Sequence, residues 1–179
     1  YAPRRFDEMM RIIDEYPYEY LILGEHFVPD ETDGFYSGRP TSDDKHLKDY
    51  VDLSIEGMRT GVFSYLAHPD LINFTGDETT YKREMARLIA AAIDLMMPLE
   101  INMLGFASGR NYPNKTFWDI AFDMEAAFII GCDAHSPEQV LQPNSLPGFS
   151  EFLTRTAADN HTQVTSINTR HSIVVTKGV

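Results

Sequence analysis

Apolar and polar positions along this chain follow two periods, and they predict a succession of helices and strands. Phe6, Met9, Met10 and Ile13 recur at helical spacing among the charges of 4–16, which predicts an opening helix. Residues 20–24, Tyr-Leu-Ile-Leu-Gly, form a short apolar run closed by glycine and read as a buried strand. A loop rich in Asp, Gly and Ser fills 29–44. A helical pattern over 45–61 stops at Gly61, a C-cap glycine, and a strand over 62–68 ends before Pro69. The longest helical pattern, 77–97, has a polar start at Asp77, Thr79 and Thr80. A strand over 98–102, a helix over 114–126 capped by Asn114 and a strand over 128–135 follow. A short helix (137–142), another (148–159) and a last strand (162–167) complete the series. Such alternation implies right-handed crossovers and an α/β fold with a parallel sheet, open or closed into a barrel.

The chemistry gathers where these strands end. The first runs to His26, the second to His68 and Asp70, the third carries Glu100 and Asn102, and the fourth runs to Asp133 and His135. In α/β sheets and barrels the C-terminal strand ends are where active sites are built. Parity agrees, because side chains two apart share a face. Tyr20, Ile22, Gly24 and His26 fall on one face and Leu21 and Leu23 on the other; Glu100 pairs with Asn102, and Asp133 with His135. Three neutral imidazoles and a carboxylate converging in a cleft suit Zn, Mn or Fe rather than Ca or Mg alone. His46, His161 and His171 lie in polar surroundings and read as solvated. Asp70 reads as a residue that caps or orients the turn after His68, Cys132 as a packed thiol, and Trp118 as core.

Composition narrows the field. The chain has 179 residues, enough for one domain with a real core, and 43% of them are hydrophobic. A formal charge of −12 argues against non-specific nucleic-acid binding, so an anionic substrate needs metal ions or a few placed arginines. Cys132 is the only cysteine, which fits a reducing compartment. No apolar run reaches the roughly 18 residues of a membrane span, and no signal peptide is recognisable, so the expected setting is the cytoplasm.

The motifs "LILGEHFV", "YLAHPDL", "PLEIN", "YPN" and "GCDAHSPEQV", in this order over 20–140, closely resemble the PHP (polymerase and histidinol phosphatase) domain, the histidinol-phosphatase branch most of all. The resemblance implies a distorted (β/α)7 TIM-like barrel, and it treats 1–179 as a single PHP domain of which the C-terminal portion is present. It also implies two to three divalent transition metals (Zn, Mn or Fe), with His26 and His68 serving one metal, Asp133 a second and His135 a third. The family's early His-x-His pair, two further histidines and a bridging Glu have no counterpart here. The chain therefore reads as N-terminally incomplete, needing ligands from a longer chain or from another one. Glu25 departs from the branch, which has a small or apolar residue there; it faces away from His26, in a surface or helix-contact role.

The activity implied is hydrolysis of a small phosphate monoester, L-histidinol phosphate first, by a hydroxide bridging two metals, with Asp133 and His135 as the catalytic ligands. Arg110, in the loop after the third strand, offers a planar fork for phosphate, with Arg39 a further candidate. Asn102 is placed to bond substrate or to orient a water on a metal, and Glu100 to order the histidines from behind. Other readings stay open: a PHP phosphoesterase acting on a nucleotide or another small phosphate, an amidohydrolase-type barrel, or a non-catalytic half barrel that binds a partner.

Overall fold

The computed structural model describes residues 1–140, 145–156, 162–168 and 172–177, with side chains as far as Leu153. His161 and His171, the end of the short helix expected over 137–142 and the end of the helix expected over 148–159 lie outside them. A 3₁₀ turn, Pro3–Arg5, leads into α1, Phe6–Ile13. Four strands form one sheet: β1 Leu21–Leu23, β4 Phe63–Leu66, β5 Leu99–Asn102 and β6 Phe128–Gly131. They lie side by side in chain order, each parallel to the next. The connections run through α2 Asp44–Arg59, α3 Glu78–Asp94 and α5 Lys115–Asp123. The α/β class with a parallel sheet is thus observed.

Helix starts follow local chemistry. Asp43 accepts from the Lys45 amide, Asp77 from that of Thr80 and Asn114 from that of Phe117, each satisfying an N–H that the helix leaves unpaired. Gly61, at φ +71°, takes the left-handed conformation that follows α2, as its position predicts.

These helices cover one face of the sheet, apart from Ile130 of β6, which is 39% exposed. Leu23, Leu66, Leu99, Ile101 and Phe128 pack there against Leu47, Val51 and Met58 of α2, Met85 and Leu88 of α3, and Phe117, Trp118 and Phe122 of α5. Trp118 is fully buried, ringed by Phe117, Phe122 and Phe128 at centroid distances of 5.2, 5.8 and 6.4 Å. The other face is unevenly covered. Tyr65, Ala67 and Ile129 make a small cluster there, while Tyr20 and Ile22 remain 40% and 45% exposed. The alternation of β1 is therefore as expected, with Leu23 inward to the helices and Ile22 on the opposite face.

Several expectations are corrected. The stretch expected as loop over 29–44 contains a strand: 29–34 closes a small antiparallel hairpin between β2, Phe27–Val28, and β3, Phe35–Tyr36. The strand expected over 128–135 stops at Gly131. A short helix, α4 Met103–Ala107, follows β5 directly, capped by Asn102. After α6, Phe149–Thr156, the strand expected near 162–167 is β7, Thr162–Asn168, but it pairs antiparallel with β8, Ser172–Lys177, outside the parallel sheet. Glu25 is not at the surface: it is 1% exposed. His46 is not simply solvated, since its ring stacks on Phe35 at 4.2 Å and its Nδ1 lies 3.2 Å from the Thr41 hydroxyl.

Candidate functional site

The loops after β1 and β4 are stitched together. The Ser37 amide donates to the His26 carbonyl and the Asn73 amide to the Ser37 carbonyl, both at 2.8 Å, and Thr41 bridges to Phe74. This draws two imidazoles into contact: the rings of His26 and His68 meet edge-on, 4.8 Å between centroids. Both stand over Gly24, where an ideal Cβ would lie 3.0 Å from His26 Cε1 and 3.7 Å from His68 Cε1. Burial pushes the His68 imidazole down to about 4, with His26 beside it adding to the effect. Burial lowers His26 as well, against nearby Glu31 and Asp133. Both rings are therefore held neutral at pH 7, the form that can ligate a cation. His68 Nδ1 is buried with no hydrogen-bond partner among the described residues, an orphan that a metal or a water would satisfy.

Behind the pair lies a carboxylate network. Glu100, 3% exposed, accepts through Oε2 from the His68 amide and from Asn102 Nδ2, both at 3.0 Å. Asn102 Nδ2 also donates to Asp133 Oδ2 at 3.1 Å, and Asn102 Oδ1 accepts from the Gly105 amide at 2.8 Å. Burial raises the Glu100 carboxyl above its ordinary range, opposed by these bonds. The strand ends carrying His68 and Asp133 thus meet on β5.

Backbone strain marks the same two positions. Among described non-glycine residues, positive φ occurs at His68 (+31°), Met96 (+53°), Glu125 (+57°) and Asp133 (+50°). Met96 and Glu125 sit just past the C-caps of α3 and α5, where left-handed residues ordinarily end helices. His68 and Asp133 have no such excuse, being just beyond β4 and β6. Such conformations cost on the order of 1–3 kcal/mol and persist where function holds them.

The other candidates are placed as follows. His135 lies at the surface, its side chain 71% exposed, with its Nδ1 2.9 Å from the Asp133 carbonyl and 4.0 Å from Asp133 Oδ1. The chain leaves the extended state at Asp133, yet the two side chains remain neighbours. Arg110 is exposed; it donates to the Tyr112 hydroxyl, and its guanidinium lies 5.7 Å from that ring's centroid. Tyr112 is buried, 5.7 Å from the His68 ring. Arg39 lies exposed in the turn after β3. Asp70 is buried: Oδ2 accepts from the Asn114 amide and from Trp118 Nε1, Oδ1 has no partner, and burial pushes its carboxyl up to about 7. It ties the turn after His68 to the start of α5. Cys132 packs against the edge of the core.

Among the described residues no group of three or more His, Cys, Asp or Glu is positioned to hold a metal ion. His26 and His68 fit one in donor type and protonation, and Asp133 is within electrostatic reach of both. The parts sequence reasoning passed over are Tyr112, seen there only within "YPN", and Gly131, whose signal was its place two residues before Asp133 on the same strand parity.

Parallel strands in sequential order, helices on one face and reactive residues at the C-terminal ends define an α/β protein with its candidate site at the C-terminal edge of a parallel sheet. No protein-family model matches the sequence, and no curated protein sequence matches it. Among solved structures the chain is similar to histidinol phosphate phosphatase from Lactococcus lactis subsp. lactis Il1403, complexed with Zn, L-histidinol and phosphate. The TM-score is 0.61 at 14% identity, covering 87% of this chain and 63% of that one. The likeness is one of fold, and this chain spans less than two thirds of the neighbour's length. No described helix is long and apolar enough to cross a membrane.

Proposed function

We propose that this chain forms part of a metal-dependent phosphoesterase of the PHP type, a partial barrel acting on a small phosphate monoester, with L-histidinol phosphate as the first candidate. The observation that carries the reading is the convergence of His68 and Asp133, both in left-handed backbone, on Glu100 and Asn102 beside His26. The fold likeness to a histidinol phosphate phosphatase supports it.

His26 and His68 would hold one divalent transition metal, Zn, Mn or Fe, and Asp133 would contribute to a second. When bound, such metals supply an activated water and neutralise charge on the phosphoryl group. The chain's own residues prepare for this. Burial keeps both imidazoles unprotonated, Asn102 holds one Asp133 oxygen in place, and Glu100 fixes the His68 backbone. Arg110, braced against Tyr112, would grip phosphate oxygens from the rim, with Arg39 a more distant candidate and His135 closing the site from its exposed turn.

A specific observation favours a second reading. The absence of a metal-competent cluster among the described residues fits a non-catalytic half barrel. Phosphate release from L-histidinol phosphate and from nucleoside monophosphates, with Zn, Mn or Fe supplied, separates the two. Turnover that disappears in His68→Ala and Asp133→Ala is the expected result. Metal bound without turnover on any phosphate would refute the enzyme reading and leave the half barrel.

A further inference from the structure

Gly131 passes the Glu100 carboxylate so closely that an ideal Cβ there would stand 1.8 Å from Oε1 and 2.6 Å from Cδ. No side chain fits unless Glu100 leaves. The obstructing atoms are the far end of a side chain, but this one is 3% exposed and anchored through its other oxygen, so it has little room to yield. Glu100 is not needed to align the strands, since β5 and β6 pair through their backbones, Leu99 with Phe128 through Asn102 with Gly131. An apolar side chain would fill the same place without burying a charge. What the carboxylate does, and an apolar group could not, is accept from the His68 amide while holding Asn102, which in turn holds Asp133 and caps α4.

We propose that Glu100, Asn102 and Gly131 are a positioning unit that locks the strand ends bearing His68 and Asp133 into their left-handed conformations, and that Gly131 is required for cation binding although it has no side chain to bind with. The unit works because Gly131 clears the space that lets Glu100 lie across three strand ends at once. That it serves a cation site rests on the phosphoesterase reading; that it fixes the His68 and Asp133 backbones does not.

The test uses the full chain and four variants: Gly131→Ala, Glu100→Ala, Glu100→Gln and the double variant Gly131→Ala/Glu100→Ala. Two quantities are read, hydrogen exchange at the His68 amide by NMR and binding of Co(II) by its visible absorption. Gly131→Ala and Glu100→Ala should each speed His68 exchange selectively and weaken Co(II) binding by about 10–100-fold, the usual cost of losing a group that orients a ligand. The double variant should be no worse than either single one, because both act through one contact. Glu100→Gln, whose amide oxygen still accepts from His68 and Asn102, should stay close to the parent. Unchanged His68 exchange in Gly131→Ala, additive losses in the double variant, or an equal rise in exchange throughout α2 and α3 would each overturn the proposal. If the parent chain itself binds no Co(II), the phosphoesterase reading fails, and exchange at His68 alone decides whether the unit exists.

Discussion

Asp70→Asn offers the sharpest test of the buried electrostatics. Burial pushes the Asp70 carboxyl from its ordinary 3.8 up to about 7, against the bonds it receives from Asn114 and Trp118. The sign follows from the two states. Between pH 3.8 and 7 the folded protein keeps a proton that the unfolded chain has lost, so the parent loses stability as pH rises through that window. Each pH unit is worth about 1.4 kcal/mol, so about 4 kcal/mol is lost by pH 7. The amide that replaces the carboxyl cannot ionise, yet its oxygen can accept the same two bonds. The variant should match the parent near pH 4 and exceed it progressively up to pH 7, with a constant difference above. Glu25, which burial also raises to about 7, and His68, lowered to about 4, titrate in both proteins and cancel in the comparison. The assay is urea unfolding with a chelator present, from pH 4 to pH 8, followed by the fluorescence of Trp118, the only tryptophan and itself a donor to Asp70. Two stability curves that run parallel across that range would refute the reasoning, because Asp70 would then ionise alike in both states.

Met96→Gly and Glu125→Gly should each raise stability by about 1 kcal/mol, since glycine takes the left-handed position past a helix end without strain; thermal melting checks both. Asp133→Gly relieves the same kind of strain but deletes the carboxylate that Asn102 holds, so metal affinity should fall by at least tenfold or so while the melting temperature does not drop in step. Metal titration beside thermal melting separates the two effects. Arg110→Ala should raise KM for a phosphate monoester by roughly tenfold or more, and Arg110→Lys should recover only part of it, because a point charge lacks the planar fork; steady-state kinetics decides.

Helices were legible in the sequence because apolar spacing and capping chemistry coincide: Asp77 and Asn114 start α3 and α5, and Gly61 closes α2. The sheet strands were legible as apolar runs, and the parity of β5 correctly put Glu100 and Asn102 together. The hairpin β2–β3 was not, since Phe27–Val28 and Phe35–Tyr36 are too short to show alternation and owe their pairing to tertiary contacts with the loop after β4. The end of β6 was misjudged because a period of two continues through Asp133 and His135, whereas the backbone turns left-handed at Asp133. That turn leaves Asp133 held by Asn102 and His135 exposed beside it, and local periodicity does not show it. Burial was the other blind spot. Glu25 and Asp70 are charged residues in loops, and only the packed structure shows that both lie in the interior.

The candidate ligands and the uneven covering of the sheet belong to the same side of the protein. Parallel sheets are ordinarily buried on both faces, because each strand carries apolar groups on either side. Here the helices cover one face, while the face bearing Tyr20, Ile22, Tyr65 and Ile129 has only partial cover. Glu100 and Asn102 share the parity of that second face, and the network they support opens toward His26, His68 and Asp133. The candidate ligands and the exposed Ile22 therefore lie on one side of the sheet. Whatever binds across that side should both reach the candidate ligands and shield Ile22, so metal affinity and protection of Ile22 from solvent should change together.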